Sequence, residues 1–444
     1  MGASRITDAS DSNAFPTTAD VVILGGGPAG TAAAWALHRA DPTLRVVLLE
    51  QSDRLGAGSS TASLEAFRSC WPCIPMMRQM QRSLEVFHYA DDYLGEGAAQ
   101  AIALKQQGYL FCAFAPQQVD AFRRDVARLH TIGLTHIELL EGDNLRARFG
   151  WLGDRVIAAK FDPIAGWLDS NALIHRYTAQ AQSARIVLGV EDVQLCIEGG
   201  RVTGVSTPHG TIASPRVVIA AGADSRRVGR TAGIDLPIVV RPRQSFTTAW
   251  RHAEFPSNGP LVIGASPYPH VRPESQVGAM FGWEYGWHNK HADPVSRADR
   301  SATMLTEPVY PPDKFKDPRF PSLTLALLAR QFGHAPGQGF ADPRYLRGVH
   351  HNVGNYVYRD ASQAHRVLPD GSTRPYESER AIIDTVPGID GLVVSVAHVG
   401  HGIMTSPASG EIAACKVLGQ PLTDPTYADF GFDVTWVEYD EAVL

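Results

Sequence analysis

Hydrophobic residues are sparse at the start of the chain and then arrive in blocks. Residues 1–18 are small and polar and read as a flexible tail. The first apolar run, DVVIL at 20–24, has strand character, and the glycine turn GGGPAG at 25–30 follows it. An Ala-rich helical stretch comes next, TAAAWALHRA at 31–40, and a second strand, RVVLLE at 45–50, completes a strand–turn–helix–strand unit. Residues 51–75 are rich in Gly, Ser and Pro and read as loop, whereas Met76, Met80, Leu84 and Phe87 recur at helical spacing through to Tyr93. A strand is expected at 105–114 and helix with charged faces around 117–150. Residues 186–223 read as several strands with a Gly-Gly turn, ending in the buried run VVIAAG at 217–222. Aromatic-rich strands follow at 242–287, a Pro- and charge-rich loop or lid at 289–320, and a short helix at 322–332. A last strand, LVVSVA at 392–397, enters a glycine turn and an Ala-rich helix at 407–417.

Composition narrows the classes. The 444 residues suffice for two or more structural units, and 44% hydrophobic with 19% charged residues is ordinary for a globular protein. A net charge of −6 argues against a nucleic-acid binder. Five cysteines are too few for a disulfide scaffold, which points to a reducing, cytoplasmic setting. The N-terminus lacks the apolar core of a secretory signal, and the one apolar run long enough for a membrane span is interrupted by Gly25-Gly26-Gly27-Pro28.

The glycine turn carries the first chemistry. Gly25-x-Gly27-x-x-Gly30 lies between a strand and a helix. The first glycine permits the tight turn, the second lets the backbone approach a pyrophosphate, and the third lets helix and strand pack closely. Pro28 and Ala29 open the helix, whose free N–H groups suit phosphate. Glu50 ends the next strand, where a carboxylate takes the ribose hydroxyls of an adenosine. A dinucleotide site is expected here.

The motifs beyond Glu50 are more specific. GAGSSTASLEAFR at 56–68, AAGA at 220–223 and GHGIMTSPASGE at 400–411 come in an order that resembles the FAD-dependent D-amino-acid oxidase and sarcosine oxidase family. The resemblance runs from Asp20 to about Leu422. It implies an α/β fold, a Rossmann-type FAD-binding domain interleaved with an α+β substrate domain built on a mostly antiparallel sheet. The FAD-binding parts would be 19–104, 166–240 and 351–423, the substrate parts 105–165 and 241–350, with 424–444 a C-terminal tail. By position, Gly25, Gly27, Gly30, Glu50 and Gln51 would hold the AMP half, and Gly58, Ser59 and Ser60 would face phosphate or ribityl groups. Val193 would meet the adenine, Ala221 and Gly222 of the AAGA motif would also bind the cofactor, and Gly400, His401, Gly402, Ile403 and Met404 would lie along the flavin. No metal is implied.

In that family a C–N bond next to a C–H is oxidised by hydride transfer to the flavin, and the imine hydrolyses. The partners implied are a small amine or amino acid and oxygen or another electron acceptor. Arg68 occupies the place of a substrate-carboxylate arginine, for which a guanidinium is suited. In GWEYGWH at 282–288, His288 matches a flavin-facing histidine, and Glu284 stands where sarcosine oxidases carry a lysine. His350 stands in place of a carboxylate-binding arginine, and Met404 in place of a lysine, so a plain small amino acid is disfavoured. Tyr356 and Tyr358 are candidates for the substrate cavity. The family's cysteinyl attachment point falls on His351 or Tyr356, so non-covalent FAD is expected. Two other readings share the N-terminal fingerprint: an aromatic-hydroxylase-type flavin monooxygenase and a catalytically silent flavin carrier.

Cys70-x-x-Cys73 has the spacing of a redox pair or half a zinc site. Cys112, Cys196 and Cys415 are isolated and supply no second pair, so packing is the expected role of Cys70 and Cys73.

Overall fold

The computed structural model describes residues 6–9, 15–71, 73–283, 305–360, 365–367, 373–375, 380–433 and 435–437. Two sheets organise it. The first has seven strands in the order Ile6–Asp8, Ala184–Leu188, Val46–Leu49, Val21–Leu24, Val217–Ile219, Leu392–Val396 and Ile382–Thr385. All neighbours are parallel except the last pair. Its inner strands are continuous aliphatic runs because both faces are covered.

Helix Pro28–Ala40 packs on this sheet and against the last helix, Ser406–Leu418. Small residues make that crossing close: a Cβ on Gly410 would sit 2.5 Å from the carbonyl of Ala32. Trp35 on the same helix meets Tyr177 of helix Ser170–Gln180 at 5.4 Å between rings.

The second sheet has eight strands, in the order His350–Arg359, Ile238–Thr248, Gly278–Gly282, His270–Glu274, Leu261–Ile263, Tyr109–Ala113, Ala158–Asp162 and Glu138–Glu141. It is antiparallel apart from the pairing of Leu261–Ile263 with Tyr109–Ala113. An aromatic core that includes Phe246, Phe281, Phe320 and Tyr345 packs on it. The expected mixture is therefore present: a parallel Rossmann-type sheet and a mostly antiparallel sheet, fed alternately by the chain.

Several boundaries differ from expectation. The strand His350–Arg359, assigned from sequence mostly to the last cofactor segment, pairs over ten residues with Ile238–Thr248 in the second sheet. The N-terminal segment is not all loose tail: Ile6–Asp8 pairs in parallel with Ile186–Leu188, and the backbone of residues 17–19 bonds to Ala213. Near the C-terminus, Tyr427 and Phe430 are buried, and Thr435–Val437 pairs with His365–Val367. The helix expected from Met76 begins at Ile74, with Cys73 as its N-cap. Pro75 fits there because first-turn N–H groups have no partner within the helix. Within 117–150 the strand Glu138–Glu141 separates helices Pro116–Thr131 and Gly142–Phe149. No helix among the described residues is long and apolar enough to cross a membrane.

Candidate active site

The C-terminal ends of the parallel strands open into a cavity of about 1030 Å³. This is at or beyond the upper end of the roughly 300–1,000 Å³ that serve drug-sized ligands. Gly25, Gly27, Pro28 and Ala29 line it, as do Glu50, Gln51 and Val193. Gly58, Ser59, Ser60, Ala221 and Gly222 form further wall, and Gly400, Gly402 and Ile403 close the far end.

The glycine turn has the shape a dinucleotide needs. Gly25 has φ +116°, and a Cβ there would lie 2.3 Å from the Ala220 carbonyl oxygen. A Cβ on Gly30 would lie 1.9 Å from the carbonyl oxygen of Gly25, so Gly30 serves packing and is not part of the cavity wall. Gly27 is the opposite case: nothing lies within 4 Å of an added Cβ, so its backbone faces open space at the N-cap of helix Pro28–Ala40. Glu50 is buried, and its Oε2 accepts from the Gly26 N–H at 2.6 Å and its Oε1 from the Ser52 N–H at 2.9 Å. Both oxygens are thereby fixed, each with a further lone pair. These residues fit FAD, whose AMP half would lie at the Glu50 end.

A second cavity of about 180 Å³ adjoins the first. The two share Ser63, Tyr356, Val399, Gly400 and Ile403 as wall. Arg68, Tyr358, His401 and Met404 line the smaller one, so His401 and Met404 border the smaller cavity rather than the large one. Arg68 is buried, with its guanidinium carbon 4.0 Å from the centre of the Trp71 ring. Trp71 in turn meets His401 edge-on at 4.3 Å, and its indole N–H donates to the Arg68 carbonyl. The arginine, the indole and the last glycine turn are thus one packed unit.

Beneath it, Asp162 holds the loop. Its Oδ2 accepts from the Ser69 N–H at 2.6 Å, the Ser69 hydroxyl at 2.8 Å and the Cys70 N–H at 3.1 Å. Cys70 and Cys73 are buried, and neither is in a disulfide. Burial, reinforced by the Asp162 charge, pushes the Cys70 thiol up to about 12. No group of three or more metal-binding side chains occurs among the described residues.

The other sequence candidates divide. Tyr358 faces the small cavity, where its hydroxyl accepts from Arg243 at 2.8 and 3.2 Å. His350 is exposed and lines neither cavity, because it stands at the outer end of its strand opposite Thr247. Its expected place beside the substrate is therefore corrected. Glu284 and His288 lie outside the described residues. His351 lines neither cavity; its ring stacks on Phe320 and its Nε2 is 3.0 Å from Gln244 Oε1.

Arg243, His270 and Tyr109 are cavity residues that sequence reasoning missed. A signal existed for one of them. Arg241 and Arg243 alternate within an apolar strand, which puts both on one face. His398 was also missed. It lines the large cavity between Ala397 and Val399, which have φ of +59° and +52°. Two non-glycine residues in the left-handed region mark a strained turn of the kind found at functional sites.

A family model described as "FAD dependent oxidoreductase" (DAO) matches residues 20–416. The chain belongs to this family of FAD-dependent oxidoreductases. Among relatives of the DAO family, the mitochondrial dimethylglycine dehydrogenase of Rattus norvegicus is 26% identical over 235 residues, 52% of this chain and 26% of that one. This chain thus spans about a quarter of that protein's length. Sarcosine oxidase subunit beta of Rhizobium meliloti is 27% identical, with 62% of this chain and 65% of that one covered. In fold, the chain is similar to an L-proline dehydrogenase from P. horikoshii, with a TM-score of 0.71, 20% identity, and coverage of 94% and 97% of the two chains.

Proposed function

We propose that this DAO-family protein oxidises the C–N bond of an amine or amino acid that carries a carboxylate. The observation that carries the reading is the junction of the two cavities along Val399, Gly400 and Ile403, with Arg68 in the smaller cavity's wall. A bound FAD supplies the hydride acceptor. The protein's part is to hold the substrate. Arg68, stiffened by Trp71, anchors the carboxylate, and a cavity of about 180 Å³ excludes all but a compact substrate. Arg243 orients the Tyr358 hydroxyl toward the same space. Two electrons and a proton leave the substrate carbon as hydride, a proton leaves nitrogen, and water hydrolyses the imine to a carbonyl compound and an amine. Oxygen or another acceptor then takes the electrons.

The names of the relatives, dimethylglycine dehydrogenase and sarcosine oxidase subunit beta, support an N-alkyl amino acid as the substrate class. Non-covalent FAD belongs to the same proposal, supported by His351 lying away from the cofactor cavity. So does a cytoplasmic setting, supported by five cysteines of which none is in a disulfide. The test is product analysis with an N-methyl amino acid panel. Aldehyde and demethylated amine in equal amounts, without added NAD(P)H, are expected. Absence of both across the panel would overturn the assignment.

A further inference from the structure

Two parts of the cofactor cavity's wall do not come from the Rossmann-type half: residues 353–357 on the edge strand of the second sheet, and a segment that carries Tyr310 and Pro312. That segment is bonded to the second sheet at both ends and, between them, to Asp224, which follows strand Val217–Ile219 of the first sheet. That segment, 305–317, is fastened at four points. Leu305 and Val240 exchange both backbone hydrogen bonds, at 2.7 and 2.8 Å. Glu307 pairs with Arg230, which is also held by Asp235. The Tyr310 hydroxyl donates to Asp224 Oδ2 at 2.6 Å. The Asp317 N–H donates to Gln244 Oε1 at 2.8 Å, and Gln244 lines the smaller cavity.

The middle fastening marks which half of the cofactor is covered. Asp224 also accepts from Gln51 Nε2 at 3.2 Å and from Arg227 Nε at 3.2 Å. Gln51 directly follows Glu50, the carboxylate at the adenosine end. We propose that 305–317 is a clasp over the adenosine half of FAD, with Tyr310 as a cofactor-retaining residue supplied by the substrate half of the chain. The inference rests on FAD occupying the large cavity and is independent of which amine is oxidised.

Tyr310 is 53% exposed, so its substitution disturbs little packing. Its hydroxyl bonds a carboxylate, and losing one charge-assisted bond of this kind costs about a tenfold factor in an equilibrium. Tyr310→Phe removes the hydroxyl with its bonds to Asp224 and Gln51, and Tyr310→Ala also opens the wall. FAD release after dilution, followed by flavin fluorescence, is expected to be about tenfold faster for Tyr310→Phe and faster still for Tyr310→Ala. Affinity of the apo protein for ADP is expected to fall by a similar factor, because ADP carries the adenosine half alone. The melting temperature of the apo protein should fall by no more than a few degrees, since the fold loses little beyond this contact. Release rates within about twofold of the parent for both variants would overturn the clasp. Faster FAD release without weaker ADP binding would overturn its placement over the adenosine. No amine is used in these measurements, so a wrong substrate assignment leaves their outcome untouched.

Discussion

Arg68 is the side chain on which the proposed chemistry of the smaller cavity rests. It is buried, stacked on Trp71 at 4.0 Å, and set beside the shared wall of the two cavities. Arg68→Ala is expected to slow flavin reduction by a carboxylate-bearing amine about 30-fold or more, since losing one partner of a buried charge pair costs at least about 2 kcal/mol. The flavin absorbance spectrum should not change, and Arg68→Lys should restore part of the rate, because it returns the charge without the bidentate fork. Cys70 makes the contrasting case. With its thiol pushed up to about 12 by burial and Asp162, it is protonated at neutral pH. Replacing Cys70 and Cys73 together by Ala should leave amine-driven flavin reduction within about twofold of the parent, as expected for cysteines that act as small hydrophobes. At this scale, what could be read from sequence was what depends on local spacing. Gly25, Gly27 and Glu50 are tied by one turn and one strand. His350 was misplaced and Arg243 missed because their position depends on the register of two strands more than a hundred residues apart.

The element that positions Arg68 is the short stretch from Phe67 to Cys73, and its anchor is remote in sequence. Asp162, at the end of the strand Ala158–Asp162, takes three hydrogen bonds from Ser69 and Cys70. Asp162→Ala would leave those donors unsatisfied in a buried place. It is expected to lower stability by about 2–4 kcal/mol and to raise KM for the amine while FAD content stays full. Urea unfolding and steady-state kinetics on one preparation read both effects. A variant with unchanged KM would show that the loop does not need this anchor. The helix after Cys73 illustrates why element ends escaped the sequence. Pro75 reads as a breaker, yet in the first turn it is tolerated, so the helix starts earlier than the apolar periodicity shows. The N-terminal strand Ile6–Asp8 escaped for another reason: its three residues carry no pattern, and their pairing with Ala184–Leu188 is set by the tertiary fold.

Across the whole molecule, the interleaving of two sheets was legible because each apolar run kept its own period. The exact handover between them was not, since His350–Arg359 reads alike for either sheet. A pH dependence belongs to this scale. Burial pushes the His398 imidazole down to about 4 from an ordinary value near 6.5. The folded protein therefore prefers the neutral ring, whereas the unfolded chain takes up a proton near pH 6.5. Stability from this group is complete above that pH and is lost as pH falls from about 6.5 toward 4. Melting of the apo protein between pH 7 and 5 should show the decline, and His398→Asn should flatten it. Whether electrons enter this protein from an amine is tested most directly by the flavin absorbance of the purified protein under anaerobic conditions. Carboxylate-bearing amines should bleach it without NAD(P)H. Bleaching by NAD(P)H alone, with every amine inert, would contradict entry from an amine.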